Sequence, residues 1–153
     1  MTSTPIDPDA PLLLVDDSPD ELMLMQMGLK RAGITVPQVI ANGGDEALDY
    51  LFGRGKHAGR DLARQPRLVL MDLHMPGKSG VDVLREIRAH PATARVKVVI
   101  FSSSEDPAEM IDAHDNGANS YLCKPLSVIG LQATIKQIRK HWLDIDLPTG
   151  AAK

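Results

Sequence analysis

Apolar residues fall in short unbroken blocks along this chain. Leu12-Leu13-Leu14-Val15 and Leu68-Val69-Leu70-Met71 are the clearest, and each runs straight into a carboxylate. A continuous apolar run of this length predicts a strand buried on both faces of a sheet. Val96 to Phe101 and Ser120-Tyr121-Leu122-Cys123 are two more strand candidates. Residues 36–41 form a weaker one, and Pro37 within it suits a sheet edge, where a missing N–H costs no ladder bond.

Between these blocks the apolar period becomes helical. Ser18-Pro19-Asp20-Glu21 reads as a helix start, with Ser as N-cap, Pro at the first helical position and Glu placed to close a capping box. Leu22, Met25, Leu29 and Ala32 follow at helical spacing as far as Gly33, and the methionines are expected to fill the core. Further helices are predicted from Asp45 to Leu51 or Phe52, and from Val81 to His90 before Pro91. Another opens at Pro107 with Met110, Ile111 and His114 on one side, stopped by Gly117. The last runs from Ser127 to Trp142, with Ile129, Ala133, Ile135 or Lys136, and Ile138 as its periodic positions. Residues 53–66 have no period, and their cations read as the solvated face of a long exposed loop.

Strand and helix thus alternate five times, which predicts an α/β fold: a five-stranded parallel sheet with helices on both faces. Right-handed crossovers put the C-terminal ends of all strands on one edge. In such sheets ligands bind at that edge, near the point where the strand order reverses.

The length of 153 residues fits one domain, expected over residues 11–143, with a flexible tail at 1–10 and a C-terminal extension at 144–153. A net charge of −3 gives no basic footprint, so direct binding to nucleic acid is not expected. No apolar run is long enough to span a bilayer, and no secretory signal is visible. The single cysteine, Cys123, cannot form an internal disulfide, and a cytoplasmic location is expected. Little chain follows residue 143, so no fused DNA-binding output is expected.

The polar residues at the strand ends carry the chemistry. The first strand ends in Asp16 and Asp17, the third in Asp72, the fourth in Ser102 and the fifth in Lys124. In a sheet of order 2-1-3-4-5 these ends are neighbours. One carboxylate at a strand tip is as well explained as a loop cap; five groups on one edge are not. Crowded carboxylates raise one another's pKa unless a cation joins them. Hard oxygen ligands suit Mg²⁺, which keeps several waters. A fixed ammonium and a hydroxyl complete the equipment for handling a phosphoryl group, and an Asp can itself be the nucleophile.

These residues identify a resemblance. Val15-Asp16-Asp17, Asp72 with Met75-Pro76-Gly77 and Gly80, Ser102, and Lys124-Pro125, in this order, resemble a response-regulator receiver domain of flavodoxin-like fold over about residues 11 to 142. The resemblance implies that Asp72 accepts a phosphoryl group from a histidine kinase. It implies that Asp17, Asp72 and the backbone carbonyl of His74 hold Mg²⁺, with Asp16 acting mainly through water. It pairs Lys124 with the phosphoryl oxygens, across a cis Lys124–Pro125 peptide. It makes Ser102 and Tyr121 a switch pair, with the fourth helix, fifth strand and fifth helix as the responsive face. It places His74 and Ser104 beside the acyl phosphate, where they tune its hydrolysis.

The long loop at 53–66 and the terminal helix running through Trp142 are similar to receiver-only regulators that partner phytochrome-type histidine kinases. That likeness implies a bacteriophytochrome-like kinase, an unidentified downstream protein and a homodimer through the last helix and the C-terminal extension. An exposed Trp142, Leu143, Ile145 and Leu147 would favour such a dimer over packing back on the domain. Alternative functions are a phosphorelay intermediate passing the group to a histidine phosphotransfer protein, or a chemotaxis-type regulator. An Asp-nucleophile phosphatase is disfavoured, because it needs an acid/base Asp two residues after its nucleophile, where His74 stands.

Overall fold

The computed structural model describes residues 10–143. Its five strands are β1 (Leu12–Val15), β2 (Gln38–Ala41), β3 (Leu68–Met71), β4 (Val98–Ser102) and β5 (Ser120–Cys123). They form one parallel sheet, as the alternation predicts, in the order β2-β1-β3-β4-β5 that the receiver-domain resemblance implies. The helices are α1 (Pro19–Arg31), α2 (Gly44–Phe52), α3 (Gly80–Ala89), α4 (Pro107–Asp115) and α5 (Val128–Ile138), the last continued by a π-helical turn at Arg139–Leu143.

Strand alternation divides the core in two. Leu13, Val15, Val69, Met71, Val98 and Ile100 face α2 and α3, meeting Ala47, Leu48, Leu51, Val83, Leu84 and Ile87. Leu12, Leu14, Leu68, Leu70, Val99 and Phe101 face α1 and α5, meeting Leu22, Met25, Leu29, Ile135 and Ile138. Both faces of the central strands are therefore covered, which is why those strands are apolar without interruption. Pro37 sits just before edge strand β2, and its carbonyl accepts Leu12 N–H at 2.8 Å.

On α1 the expected phase holds, with Leu22, Met25 and Leu29 buried, while the methionine expectation and the phases of α4 and α5 depart. On α1 only Met25 of the methionines is buried; Met23 and Met27 are exposed. On α4 the buried residue is Ala113, while Ile111 is exposed. On α5 the inward residues are Ile135 and Ile138, and Ile129 is 84% exposed. The apolar positions of α4 and α5 fit more than one helical stripe, so the sequence does not fix which side meets the sheet.

Leu143 is buried, and Trp142 packs on the same α1–α5 core. Folding back of this turn replaces the exposed cluster expected there; Ile145 and Leu147 lie outside the described residues. Exposed apolar residues on this side include Leu126, just before α5, and Val128 and Ile129 in its first turn, besides Met23, Leu24 and Met27 of α1.

The loop at 53–66 is more than a solvated face. The Arg60 guanidinium stacks 4.0 Å from the Tyr50 ring centroid and donates to the Tyr50 carbonyl at 2.7 Å. The Gln65 amide donates to the Leu51 carbonyl at 3.1 Å. The loop is thereby tied to the end of α2 by a cation–π contact and by bonds to backbone carbonyls. Among the described residues no peptide bond is cis, so Lys124–Pro125 is trans, the intrinsically favoured isomer of an X–Pro bond.

Candidate functional site

Register places the acidic residues. Val15 and Met71 are paired across β1 and β3, so Asp16 and Asp72 follow side by side at the carboxyl edge. Asp72 N–H donates to the Val15 carbonyl at 2.9 Å, and Lys124 N–H donates to the Ser102 carbonyl at 2.7 Å. Backbone ladders thus hold both residues at the site. Helix α3 packs hard against it: a Cβ on Gly80 would lie 2.6 Å from the Asp72 carbonyl oxygen, so this position has room only for glycine.

Lys124 is the electrostatic centre. Its Nζ lies 2.9 Å from Asp16 Oδ2, 3.2 Å from Glu21 Oε1 and 3.6 Å from Asp72 Oδ2. Burial alone would lower its pKa, but the bond from Asp16 and the charges of Asp72, Asp16 and Glu21 outweigh this and raise it. Lys124 is therefore a fixed cation. Burial raises the Asp72 pKa, with the Asp16 charge adding to it, against the opposing pull of Lys124 and the Leu73 N–H. That N–H donates to Asp72 Oδ1 at 2.8 Å, leaving Oδ2 as the oxygen that faces Lys124.

Asp16, Asp17 and Asp72 each bring a carboxylate oxygen within 4.8 Å of the others. Three hard anionic oxygens so close are a donor set for a divalent cation. Asp16 is already committed on both oxygens: Oδ1 accepts Ser18 N–H at 3.0 Å and Oδ2 accepts from Lys124. Asp17 is exposed. Beside these groups is a cleft of about 30 Å³, lined by Asp16, Glu21, Met25, Asp72, Phe101 and Lys124 among others. It has room for a water or an ion, far below the roughly 300–1,000 Å³ of a pocket for an organic ligand.

Glu21 is a residue that sequence reasoning misassigned. Ser18 Oγ accepts Glu21 N–H at 3.3 Å, as an N-cap should. The Glu21 carboxylate, however, goes to Lys124 instead of closing the capping box. Its position in the first turn of α1, over the β1 end, made this reachable; the local pattern alone pointed to the cap.

Ser102, Ser104 and Tyr121 form a second group on the same edge. Ser102 is fully buried, and its Oγ accepts Ser104 N–H at 3.1 Å. The Tyr121 hydroxyl donates to the Ser104 carbonyl at 2.9 Å, and Cys123 Sγ lies 3.6 Å from the same oxygen. His74 Nε2 lies 2.8 Å from Glu109 Oε2, so the residue two after Asp72 is bound to α4. Glu109 went unnoticed in the sequence because an acidic residue in the first turn of a helix is ordinary.

Among the described residues no helix is long and apolar enough to cross a membrane. The model of the response regulator receiver domain matches residues 12–136. The chain is 35% identical over 141 residues to the probable methanogenesis regulatory protein FilR2 of Methanothrix harundinacea, covering 92% of this chain and 88% of that one. It is similar to the crystal structure of the phosphorylated cyanobacterial phytochrome response regulator RcpA, with TM-score 0.80 and 30% identity over 89% of this chain and 95% of that one. The Mn²⁺-bound form of response regulator Rcp1, a Synechocystis protein, has TM-score 0.78 and 30% identity over 88% and 95% of the two chains. Fold, site and relatives agree: the chain belongs to the response regulator receiver domains and is related to phytochrome response regulators.

Proposed function

We propose that the chain takes a phosphoryl group from a kinase phosphohistidine onto Asp72 and passes the signal on through the α4-β5-α5 surface. The observation that carries this reading is Lys124 Nζ, set 2.9 Å from Asp16 and 3.6 Å from Asp72 beside a third carboxylate, Asp17. In the step itself an Asp72 carboxylate oxygen attacks phosphorus. The phosphorus–nitrogen bond breaks, its electron pair stays on the kinase imidazole, and that ring takes up a proton. Lys124 holds positive charge where the phosphoryl oxygens arrive. Mg²⁺ is the cation we assign to the site, held by Asp17, Asp72 and the His74 backbone carbonyl, and it supplies charge neutralisation. Asp16, which accepts from Ser18 N–H and from Lys124, is assigned a role mainly through water, as the receiver-domain likeness implies.

Ser102 and Tyr121 act as the switch pair. Both are bonded to Ser104, so a Ser102 hydroxyl turning toward new phosphoryl oxygens would release Ser104 N–H and disturb the carbonyl that holds Tyr121. Kinship with phytochrome response regulators supports a phytochrome-type kinase as donor and a cytoplasmic setting. For a homodimer, the exposed Val128 and Ile129 of α5, with Leu126 just before the helix, are the surface we assign, since Trp142 and Leu143 pack inward.

Incubation with acetyl phosphate and Mg²⁺ should add one phosphoryl mass to the intact chain, and chelation of the metal should abolish it. Asp72→Asn should remove the increment; an increment that persists in that variant overturns Asp72 as acceptor.

A further inference from the structure

His74 and Ser104 are both tied to one side chain. Glu109 Oε2 lies 2.8 Å from His74 Nε2, and Glu109 Oε1 accepts the Ser104 hydroxyl proton. A single carboxylate on the first turn of α4 therefore straps the loop after β3 to the loop after β4. The strap is anchored at its ends. Glu109 N–H donates to the Asp106 carbonyl at 3.0 Å within the helix start. Ser104 is fixed through Ser102, Tyr121 and the Asp106 N–H, which donates to its Oγ at 3.2 Å. The His74 side chain is otherwise loose: it is 61% exposed, and Glu109 is its hydrogen-bonding partner among the described residues.

We propose that Glu109 is a positioning residue that sets how long the phosphoryl group stays on Asp72, by holding His74 and Ser104 in place beside it. The proposal rests on Asp72 being the acceptor. In hydrolysis a water oxygen attacks phosphorus and the bond from phosphorus to the Asp72 oxygen breaks. The electron pair returns to the Asp72 carboxylate, inorganic phosphate leaves, and the water's proton passes to solvent. The His74 Nε2 and the Ser104 hydroxyl proton engaged by Glu109 are not available to that water. Freed, His74 can swing toward the phosphoryl group and present a ring nitrogen to the water. Glu109 thus lengthens the lifetime, and it does so from α4, an element of the responsive face. Anything that pulls α4 away would shorten the signal.

The test phosphorylates the whole chain with acetyl phosphate, removes the donor, and follows loss of the phosphoryl mass. Glu109→Ala should shorten the half-life at least about threefold, the scale of coupling between residues sharing one hydrogen-bond network. Glu109→Gln, which keeps the length and one acceptor, should fall between. In a His74→Ala background the effect of Glu109→Ala should largely vanish, and the thermal midpoint of the single variant should stay near that of the parent. Equal half-lives in the parent and Glu109→Ala overturn the proposal, as does an undiminished effect in the His74→Ala background. A fall in half-life matched by a comparable loss of thermal stability in both Glu109 variants also overturns it, in favour of a structural role. If the parent chain takes no label, the acceptor reading itself fails.

Discussion

Strands β1 and β3 and the region beyond β4 are built to different standards of packing. Every residue of β1 and β3 is buried, and their side chains fill cores on both faces of the sheet. Every residue of β5 is only half-buried, α4 buries Ala113 alone, and the first turn of α5 leaves Val128 and Ile129 in solvent. The first region ends in Asp16, Asp17 and Asp72, the second in Lys124. Like charges held close together repel, so carboxylates must be placed by something stiff. The face proposed to carry the signal would have to be cheap to move, with few buried contacts to break. The weakly packed α4-β5-α5 surface meets that condition, and it meets the site through Lys124, Ser104 and Glu109.

The contrast is broken most forcefully in the core. Leu13→Ala, at a fully buried position of β1, should cost about 2–5 kcal/mol in chemical denaturation. Ile129→Ala on α5 should cost less than about 0.5 kcal/mol. Equal losses would show that the two regions are packed alike.

A smaller effect is expected where the regions meet. Lys124→Met leaves Asp16, Asp72 and Glu21 without their shared cation, and should destabilise the metal-free protein by about 1–3 kcal/mol. Added Mg²⁺ should recover part of that loss, because a divalent ion would neutralise the same carboxylates. A loss that Mg²⁺ leaves untouched would argue that Lys124 contributes packing rather than charge.

The smallest effect sharpens the comparison on the rigid side. The α3 cap, in which Ser79 Oγ accepts Asp82 N–H and the Asp82 carboxylate accepts Ser79 N–H, holds the Asp82 pKa below the ordinary carboxylate value. A lowered carboxylate stabilises the fold above its unfolded pKa, and that contribution is lost as pH falls through the folded value. Stability should therefore decline as pH drops below about 4, and Asp82→Asn should flatten that part of the profile. An unchanged slope in Asp82→Asn would assign the decline to other carboxylates.

Much of this was legible before folding. Unbroken apolar runs marked the central strands because both of their faces are covered, and the polar residues at their ends marked the site because strand tips are fixed points. What stayed hidden depended on distance across the chain. Glu21 read as a cap and Glu109 as an ordinary helix-start acid, since local sequence cannot say which remote cation or hydroxyl a carboxylate will reach. Helix phase on α4 and α5 was hidden because the apolar residues of each helix fit more than one side. Arg60 read as solvated because its partner, the Tyr50 ring, lies ten residues earlier in the chain.

The sequence by itself determined the alternation of strands and helices, hence a parallel α/β sheet, and the identity of the strand-end groups Asp16, Asp17, Asp72, Ser102 and Lys124. Those follow from periodicity and strand-end position, which are local. Only the tertiary structure decided how the groups divide. Asp16, Glu21 and Asp72 gather on Lys124, while Ser102, Tyr121 and, through Glu109, His74 gather on Ser104. That division is set by which side chains the packed helices bring within hydrogen-bond range, and no local pattern encodes it.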